Sequence, residues 1–239
     1  MREAGKIVAE VLLAMSGSIN VGMTTAMLNK IADKTIRKHG AEPAFLGYHN
    51  FPASICTSIN NEVVHGIPGL RRLQEGDIIS IDVGVRLKGY YGDAAATFAV
   101  GRISPEAQKL IDVTKVSLQE AIGAMQAGKK LSDISHAVQG YVERNSFSVV
   151  RNYVGHGIGE EMHEEPQVPN FGQPGRGPLL QKGIILAIEP MVNAGSWEVE
   201  VLKDQWTVVT CDGSLSAHFE HTVALSDNGP EVLTSSNLS

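Results

Sequence analysis

The sequence predicts an α+β fold, and three features of its pattern support this class. Apolar residues recur at helical spacing in two segments near the start and in two segments near the middle. Stretches rich in Ile, Val, Ala and Thr follow each of these helix pairs, which is typical of strands. The order of helix pair, strands, helix pair and strands uses one layout twice, so we expect two similar halves.

The first half begins with a helix over residues 1–15, whose apolar face comprises Ile7, Val8, Val11, Leu12 and Met15. A second helix is capped by Thr24 or Thr25, reaches about Lys38 and ends at Gly40. Strands are expected at SICTSIN, IISIDVGVRL and GDAAATFAV. KGYYG reads as the hairpin connection between the last two strands.

A helix with a strong start signal opens the second half. Ser104 is a cap residue, Pro105 fits the first helical position, and Glu106 places an acid in the first turn. This helix is expected to reach about Gln126. Ser132 is the expected cap of a further helix, ISHAVQGYVERN.

Five strand-like segments complete the second half: SFSVVRNYV, GIILAIEPMV, EVEVL, WTVVTCD and AHFEHTVALS. Residues 170–182 form a long stretch rich in Gly and Pro. Such a stretch is either a plain surface loop or the border of an active site.

Bulk composition limits the class of protein. A length of 239 residues with 43% hydrophobic residues fits one large unit, so we expect a single domain over residues 1–239. The net charge of −6 argues against a nucleic-acid-binding surface. Two cysteines are too few for a disulfide scaffold. Without a secretion signal or an apolar stretch long enough for a bilayer, we expect a cytoplasmic protein without membrane partners.

Four acidic residues interrupt segments that otherwise have the pattern of buried strands. The segments are IISIDVGV, YYGDAAATF, GIILAIEPMV and SAHFEHTVAL, and the acids are Asp82, Asp93, Glu189 and Glu220. A single strand acid can face solvent or pair with an arginine. An unpaired carboxylate in an apolar interior is costly, however, and few basic residues lie near these segments.

Asp82 and Asp93 are eleven residues apart across the expected hairpin. Opposed residues on neighbouring strands have side chains about 5 Å apart. Two like charges at that distance repel each other unless a cation lies between them. Carboxylates bind hard or borderline divalent metals and can bridge two of them, so the pair indicates a metal site.

Histidines near these segments are candidate nitrogen ligands. His156 stands between glycines in YVGHGIG, where we expect a backbone that is free to bend. His163 and His65 lie in MHEEPQVPN and NEVVHGIPG. His218 and His221 flank the last acid and either orient it or play no part. An ordinary surface or core role is kept for His39, His49 and His136.

The residues alone predict a site of four carboxylates and one imidazole, formed by Asp82, Asp93, His156, Glu189 and Glu220. Two metal ions fit such a set, and the usual chemistry is hydrolysis by a metal-activated water. Other hydrolase motifs are missing from the sequence, since neither H-E-x-x-H nor G-x-S-x-G occurs. Cys56 reads as a small buried hydrophobic residue.

Seven motifs, in this order and spacing, resemble those of the type I methionine aminopeptidases. They are NEVVHGIP, IDVG–x₇–GDAAATF, YVGHGIG, HEEPQVPN, AIEPMVN, WTVVT and SAHFEHTV. The resemblance covers nearly the whole chain. It implies the pita-bread (creatinase/aminopeptidase) fold, a pseudo-twofold arrangement of a curved antiparallel sheet with helices on its outer face. It also implies removal of the initiator methionine from new polypeptides when the second residue is small.

The resemblance implies a role for each candidate ligand. Asp93 and Glu220 would bridge two divalent ions of Co, Mn, Fe or Zn. Asp82 would complete one ion, and His156 with Glu189 would complete the other. Carbonyl groups near Asn60 and Glu62, with Ser216, resemble the family's site for a monovalent cation, Na or K.

Catalytic and substrate-binding residues follow from the same resemblance. A metal-bridging hydroxide would attack the peptide, Glu189 would carry the proton, His163 would stabilise the oxyanion, and His65 would hydrogen-bond near the scissile amide. An apolar pocket for methionine would be lined by Tyr48, Phe51, Cys56, Met162 and Trp206, with Phe45 as a further candidate. Each of these can also be an ordinary core residue.

The resemblance also names the partners and leaves two rivals. The substrates would be the N-termini of nascent polypeptides, met at the ribosome by a monomeric enzyme. One rival is a proline-specific exopeptidase of the same fold, which usually carries a large additional N-terminal domain. The other is a non-catalytic binding protein of the fold, although such proteins lose metal ligands and all five are present here.

Overall fold

The computed structural model describes residues 1–235. Its helices are α1 (Arg2–Ser18), α2 (Thr25–Lys38), α3 (Pro105–Ala124) and α4 (Leu131–Arg144), with a short 3₁₀ turn at Tyr48–Asn50. The strands of the first half are β1 (Glu42–Pro43), β2 (Cys56–Ile59), β3 (Glu62–Val64), β4 (Ile78–Leu87) and β5 (Tyr90–Ala99). Those of the second half are β6 (Ser148–Val149), β7 (Gly155–Gly157), β8 (Glu164–Val168), β9 (Ile185–Ile188), β10 (Met191–Asn193), β11 (Val199–Val201), β12 (Val208–Thr210), β13 (Ser216–His218), β14 (His221–Ser226) and β15 (Gly229–Val232).

Local signals explain where the helices start. The Thr24 side chain caps α2 by accepting a hydrogen bond from Met27 N, and Ser104 caps α3 in the same way through Ala107 N. The predicted cap of α4 at Ser132 is wrong. That helix begins at Leu131, because the Asp133 carboxylate accepts the Lys130 N–H. The Ser132 hydroxyl instead accepts a hydrogen bond from Arg176 N, in the loop between β8 and β9.

The helices and sheets form two layers in each half. Helices α1 and α2 pack their buried faces against β4 and β5 in one apolar cluster. Helices α3 and α4 pack against strands of the second half, including β9, β10, β13 and β14, in another. The α+β layout and the repeated helix pair that the sequence predicts are therefore present.

The hairpin of β4 and β5 has a shorter turn than the sequence prediction gave it. Leu87 pairs with Tyr90, so that only Lys88 and Gly89 form the connection. Both have positive φ, 52° and 83°, which suits a two-residue hairpin turn. This turn fixes the register of the whole hairpin.

The register corrects one expectation about the acids. Asp82 pairs with Ala95 and Asp93 pairs with Gly84, so the two aspartates are diagonal neighbours and do not lie directly opposite each other. Their carboxyl groups are still within hydrogen-bonding reach. The carboxyl groups of Asp82 and Asp93 therefore interact as expected, although the pairing of β4 and β5 differs from the predicted one.

Two long segments predicted as single strands are broken. GIILAIEPMV divides into β9 and β10 around Glu189-Pro190, and AHFEHTVALS divides into β13 and β14 around Phe219-Glu220. Pro190 has no N–H to donate to a neighbouring strand, and β9 ends shortly before it. Strand β9 pairs with β14, whereas β10 pairs with β13 in a different sheet.

The prediction for SFSVVRNYV is mostly wrong, because only Ser148–Val149 forms a strand. Ser146 has a φ of 67°, which is incompatible with extended strand, and the chain bends at Arg151 and Asn152.

Among the described residues, no helix combines the length and the apolar character needed to cross a bilayer.

Candidate metal centre

The five predicted ligands come together where the two halves of the fold join. Ala95 of β5 and Glu220 exchange backbone hydrogen bonds of 2.9 and 3.3 Å, so the start of β14 lies beside the β4–β5 hairpin. On its other side β14 pairs with β9, and β9 pairs with β7. Neighbouring strands thus present the ligands in a row, in the order Asp82, Asp93, Glu220, Glu189 and His156.

Glu189 and Glu220 both lie at the point where the strands change sheets. The last pair of β9 and β14 is Ile188 with His221, and the first pair of β10 and β13 is Met191 with His218. The two glutamates occupy the gap between these ladders. The separation of the strands at this gap leaves room for the side chains of Glu189 and Glu220 to approach each other.

Strand β7 explains the glycines around His156. Added Cβ atoms would lie 2.3 Å from Ala187 O at Gly155 and 2.4 Å from Glu165 O at Gly157. Neither glycine has a positive φ, so the expected freedom of this backbone to bend is not used here. The glycines are required because neighbouring strands approach β7 closely.

The ring of His156 is held in one orientation. Its Nδ1 lies 2.8 Å from Gly157 O, and a carbonyl can only accept, so Nδ1 carries the proton. This leaves the Nε2 lone pair free to bind a metal. Burial lowers the pKa of His156 to about 4, which keeps the ring neutral.

Asp93 and Glu220 are buried, Asp82 and Glu189 are partly buried, and among the described residues none of the four carboxyl groups pairs with a lysine or an arginine. Burial raises the pKa of Asp82 to about 7. Burial raises the pKa of Asp93, Glu189 and Glu220 well above the usual carboxyl value, and neighbouring carboxylates add to the rise. Among residues 1–235 no lysine or arginine forms an ion pair with any of them. This arrangement favours a positive ion between them.

Unsatisfied atoms and ligand spacing both fit divalent metal ions. One oxygen each of Asp82, Asp93 and Glu220 is buried without a hydrogen-bond partner. Ligand atoms of Asp93, His156 and Glu220 all lie within 4.8 Å of one another. Carboxylate oxygens with one imidazole nitrogen suit Mn, Fe, Co or Zn. Asp82 and Glu189 lie beside this group in the same cavity.

A cavity of about 160 Å³ is lined by every predicted divalent-metal ligand, catalytic residue and methionine-pocket residue. The metal-ligand candidates line one part of it. Its remaining lining is apolar or aromatic apart from two histidines, and consists of Phe45, Tyr48, Phe51, Cys56, His65, Met162, His163 and Trp206. Burial and the nearby carboxylates raise the pKa of the Cys56 thiol well above its usual value, so Cys56 stays protonated and unreactive.

His65 and His163, the other two histidines of the cavity, are held by contacts with aromatic side chains and with His156. His65 has a φ of 61°, a left-handed conformation that only a few per cent of non-glycine residues adopt and that is often found at functional sites. Its ring lies edge-on to Tyr153 and Trp206. His163 lies at the rim with its ring centroid 4.2 Å from that of His156, and its Nδ1 is 2.7 Å from the Tyr48 hydroxyl.

Of the two histidines that flank Glu220, only His218 faces the centre. Its buried Nε2 lies 3.8 Å from Glu189 Oε2 and has no hydrogen-bond partner. His221 does not line the cavity, and its Nδ1 is hydrogen-bonded to the Thr234 hydroxyl at 2.9 Å. Alternation of side chains explains this, because His218 is two residues from Glu220 and shares its face, whereas His221 is next to Glu220 and points to the other face.

Sequence reasoning missed three residues that support the site. The Asn170 amide donates to Glu189 O at 3.0 Å, Thr222 holds the backbone of Asp93, and Tyr153 packs on His65. The position of Asn170 at the start of the Gly- and Pro-rich segment links that segment to the site. No local motif marks Thr222, because its partner is 129 residues away.

The predicted monovalent-cation residues Asn60, Glu62 and Ser216 do not line this cavity. The Asn60 carbonyl accepts Ser216 N at 2.8 Å. The carboxylate of Glu62 is engaged by Ile59 N and Arg71. The predicted ligands are therefore the carbonyl groups near Asn60 and Glu62, together with Ser216.

Comparison with known proteins places the chain in one family. The model of metallopeptidase family M24 matches residues 1–227. A methionine aminopeptidase of Clostridium acetobutylicum is 58% identical over 235 residues, which cover 98% of this chain and 94% of the relative. The crystal structure of methionine aminopeptidase from Thermotoga maritima has a TM-score of 0.97 and 46% identity, covering 99% of this chain and 95% of that chain.

A more distant neighbour shares the fold alone. The X-Pro aminopeptidase of Thermotoga maritima has a TM-score of 0.76 at 21% identity, and the match covers all of this chain but 60% of that one. These findings confirm the predicted pita-bread fold and the resemblance to the type I methionine aminopeptidases, and membership of a metallopeptidase family implies divalent metal ions. The chain belongs to metallopeptidase family M24.

Proposed function

We propose that the protein is a metal-dependent aminopeptidase that removes the N-terminal methionine from nascent polypeptides whose second residue is small. The observation that carries the proposal is the convergence of four carboxyls, none of them paired with a lysine or arginine within residues 1–235, and one oriented imidazole on a cavity whose other wall is apolar. The relatives that match nearly the whole chain have the same activity in their names. Residues 1–239 would act as a single catalytic domain.

Asp82, Asp93, His156, Glu189 and Glu220 would hold two divalent ions, with Asp93 and Glu220 between them. Bound ions of this kind lower the pKa of water and polarise a peptide carbonyl. Both bridging candidates come from the junction of the halves, where the backbone is fixed by cross-strand hydrogen bonds. Manganese, iron, cobalt and zinc are all compatible with this ligand set.

Glu189 would accept the proton of the attacking water and pass it to the leaving amine. Its carboxyl lies between His156 Nε2, 3.6 Å from Oε1, and His218 Nε2, 3.8 Å from Oε2. Two neutral imidazoles on either side restrict the carboxyl without neutralising it. His163 would donate to the oxyanion, and His65 would donate near the scissile nitrogen.

The apolar wall would take the methionine side chain. Phe51 packs edge-on against Trp206 with ring centroids 5.0 Å apart, and both contact the cluster that includes Cys56 and Met162. Soft sulfur and aromatic surfaces suit a thioether. Tyr48 closes the rim of this pocket.

The remaining predictions concern the surroundings of the enzyme. The protein would be a cytoplasmic monomer without membrane partners that meets its substrates at the ribosome. The net charge of −6 supports only the expected absence of a nucleic-acid partner. A monovalent Na or K ion near Asn60, Glu62 and Ser216 would support the loop next to the cavity. Dependence of the rate on Na or K concentration tests that ion.

One assay separates the proposed activity from both rivals. Protein supplied in turn with Mn, Fe, Co or Zn is given Met-Ala-Ser and a Xaa-Pro peptide, and free amino acids are measured. We expect release of methionine and no cleavage before proline. Cleavage of the Xaa-Pro peptide alone would support the proline-specific rival. Absence of divalent-ion binding at micromolar concentrations in calorimetry would support the binding-protein rival.

A further inference from the structure

The cavity rim contains a hydrogen bond that joins the two halves of the protein. The Tyr48 hydroxyl, on the turn after β1, lies 2.7 Å from Nδ1 of His163, which precedes β8. The two rings are 5.3 Å apart and tilted by 31°. Within residues 1–235 this is the hydrogen bond that the structure gives to the ring of His163.

Chemistry decides which partner donates. A neutral imidazole has one nitrogen with a proton and one without, and the hydrogen bond at one nitrogen determines which is which. An unprotonated imidazole nitrogen is a much stronger acceptor than a phenol oxygen. The Tyr48 hydroxyl therefore donates to Nδ1, and the proton of His163 is left on Nε2.

The turn that carries Tyr48 is closed by backbone hydrogen bonds and has an uncommon backbone conformation. His49 and Asn50 have positive φ values of 46° and 69°, and Gly47 has a φ of 84°. Gly47 N donates to Phe51 O and Phe51 N donates to Tyr48 O, both at 2.9 Å. Non-glycine residues hold such conformations only where surrounding contacts impose them, and these often occur at functional sites.

We propose that Tyr48, besides lining the methionine pocket, is a positioning residue that fixes His163 with its Nε2 proton presented to the substrate carbonyl. The inference rests on the proposed function, since it assigns His163 a carbonyl to stabilise. His163 is exposed at the rim and stacks only partly on His156, so its ring needs a second restraint. Because the methionine side chain packs against the same tyrosine, binding of the substrate also restricts the motion of the His163 ring.

Tyr48→Phe keeps the ring and removes the hydroxyl. We expect kcat for Met-Ala-Ser to fall by roughly ten- to a hundredfold, below the hundredfold to thousandfold that loss of a whole oxyanion donor costs. KM and divalent-metal affinity should change little. Tyr90→Phe is the matched control, because it removes an exposed tyrosine hydroxyl that bonds Glu160 outside the cavity. It should leave both constants unchanged.

A double-mutant cycle shows whether Tyr48 acts through His163. In a His163→Ala background, Tyr48→Phe should cost less than twofold in kcat, because the residue that it positions is gone. An equal loss in both backgrounds would overturn the proposal.

Nitrogen-15 NMR of the zinc-loaded protein provides a readout that does not depend on turnover. We expect the Nε2–H tautomer for His163 in the wild type, and a tautomer mixture with a more mobile ring in Tyr48→Phe. An unchanged His163 spectrum in the variant would overturn the proposal. If wild-type protein with the expected tautomer releases no methionine, the proposed function fails and the positioning contact stands.

Discussion

Asp93 and Thr222 exchange two hydrogen bonds across the junction of the two halves. The Asp93 N–H donates to Thr222 Oγ1 at 3.0 Å, and the Thr222 hydroxyl donates to the Asp93 carbonyl at 2.8 Å. Both residues are buried. The Thr222 side chain, from the second half, therefore satisfies the backbone N–H and C=O of Asp93, a metal-ligand candidate in the first half. Correct packing of the two halves against each other is thus needed for the geometry of the site.

Thr222→Val should destabilise the protein and weaken metal binding. Valine has a similar shape but leaves a buried N–H and a buried C=O of Asp93 without partners, which costs about 1–3 kcal/mol. Urea unfolding measures the stability, and calorimetry with Mn measures the affinity. Thr114→Val is the control, because that buried hydroxyl donates only to Leu110 O within α3. Equal destabilisation in both variants, with metal affinity unchanged, would contradict the coupling.

Gly84→Ala should narrow the methionine pocket. An added Cβ would lie 2.6 Å from Cε1 of Phe45 and 2.9 Å from Cε of Met162, so both side chains must shift into the cavity. We expect KM for Met-Ala-Ser to rise by roughly tenfold, the effect of about one lost apolar contact, with metal content unchanged. Gly123→Ala on α3 has open space around the new Cβ and should leave KM unaltered. An unchanged KM for Gly84→Ala would argue against the assigned pocket.

Removal of a ligand should differ from removal of an oxyanion donor. Asp93→Ala and Glu189→Ala should abolish turnover and lower the bound metal, because each removes a predicted ligand. His163→Ala should keep its metal and lose roughly a hundred- to a thousandfold in kcat. Elemental analysis of each purified variant, together with its rate, distinguishes the two. Loss of metal from His163→Ala equal to that from Asp93→Ala would show that His163 has the wrong role.

Stability should fall in mild acid partly because of His65. Burial lowers the pKa of His65 to about 4 from an ordinary value of 6.5. Between those pH values the unfolded chain binds a proton that the folded protein does not, so folded stability is present above pH 6.5 and decreases as the pH falls towards 4.

His65→Gln removes this contribution. The difference in unfolding free energy between pH 7 and pH 4.5 should shrink by roughly 1–3 kcal/mol relative to wild type. Urea unfolding at several pH values measures it. His136→Gln, at an exposed position on α4, should leave the pH dependence of the unfolding free energy as it is in the wild type. The same pH dependence of the unfolding free energy in the wild type, His65→Gln and His136→Gln would show that His65 is not held neutral by burial.

Much of the site was predictable because its chemistry conflicts with its local pattern. Glu189 and Asp82 stand in segments whose periodicity demands buried apolar residues, and a buried acid needs a partner wherever the fold places it. The helix starts at Thr24 and Ser104 were equally accessible, because a cap depends on residues within one turn.

The parts that were not predictable depend on distant contacts. The register of β4 and β5 was misjudged because the turn contains two residues, Lys88 and Gly89, and not the longer segment expected. The glycines beside His156 are explained only by the closeness of β8 and β9. Thr222 could not be identified because its role exists only once the halves meet.

Anomalous diffraction from crystals grown with manganese tests the central claim most directly. In protein that releases methionine from Met-Ala-Ser, the account predicts two manganese peaks inside the cavity, both adjacent to the carboxylates of Asp93 and Glu220. A fully active preparation with no peak at those carboxylates, or with its manganese bound elsewhere on the molecule, would contradict it.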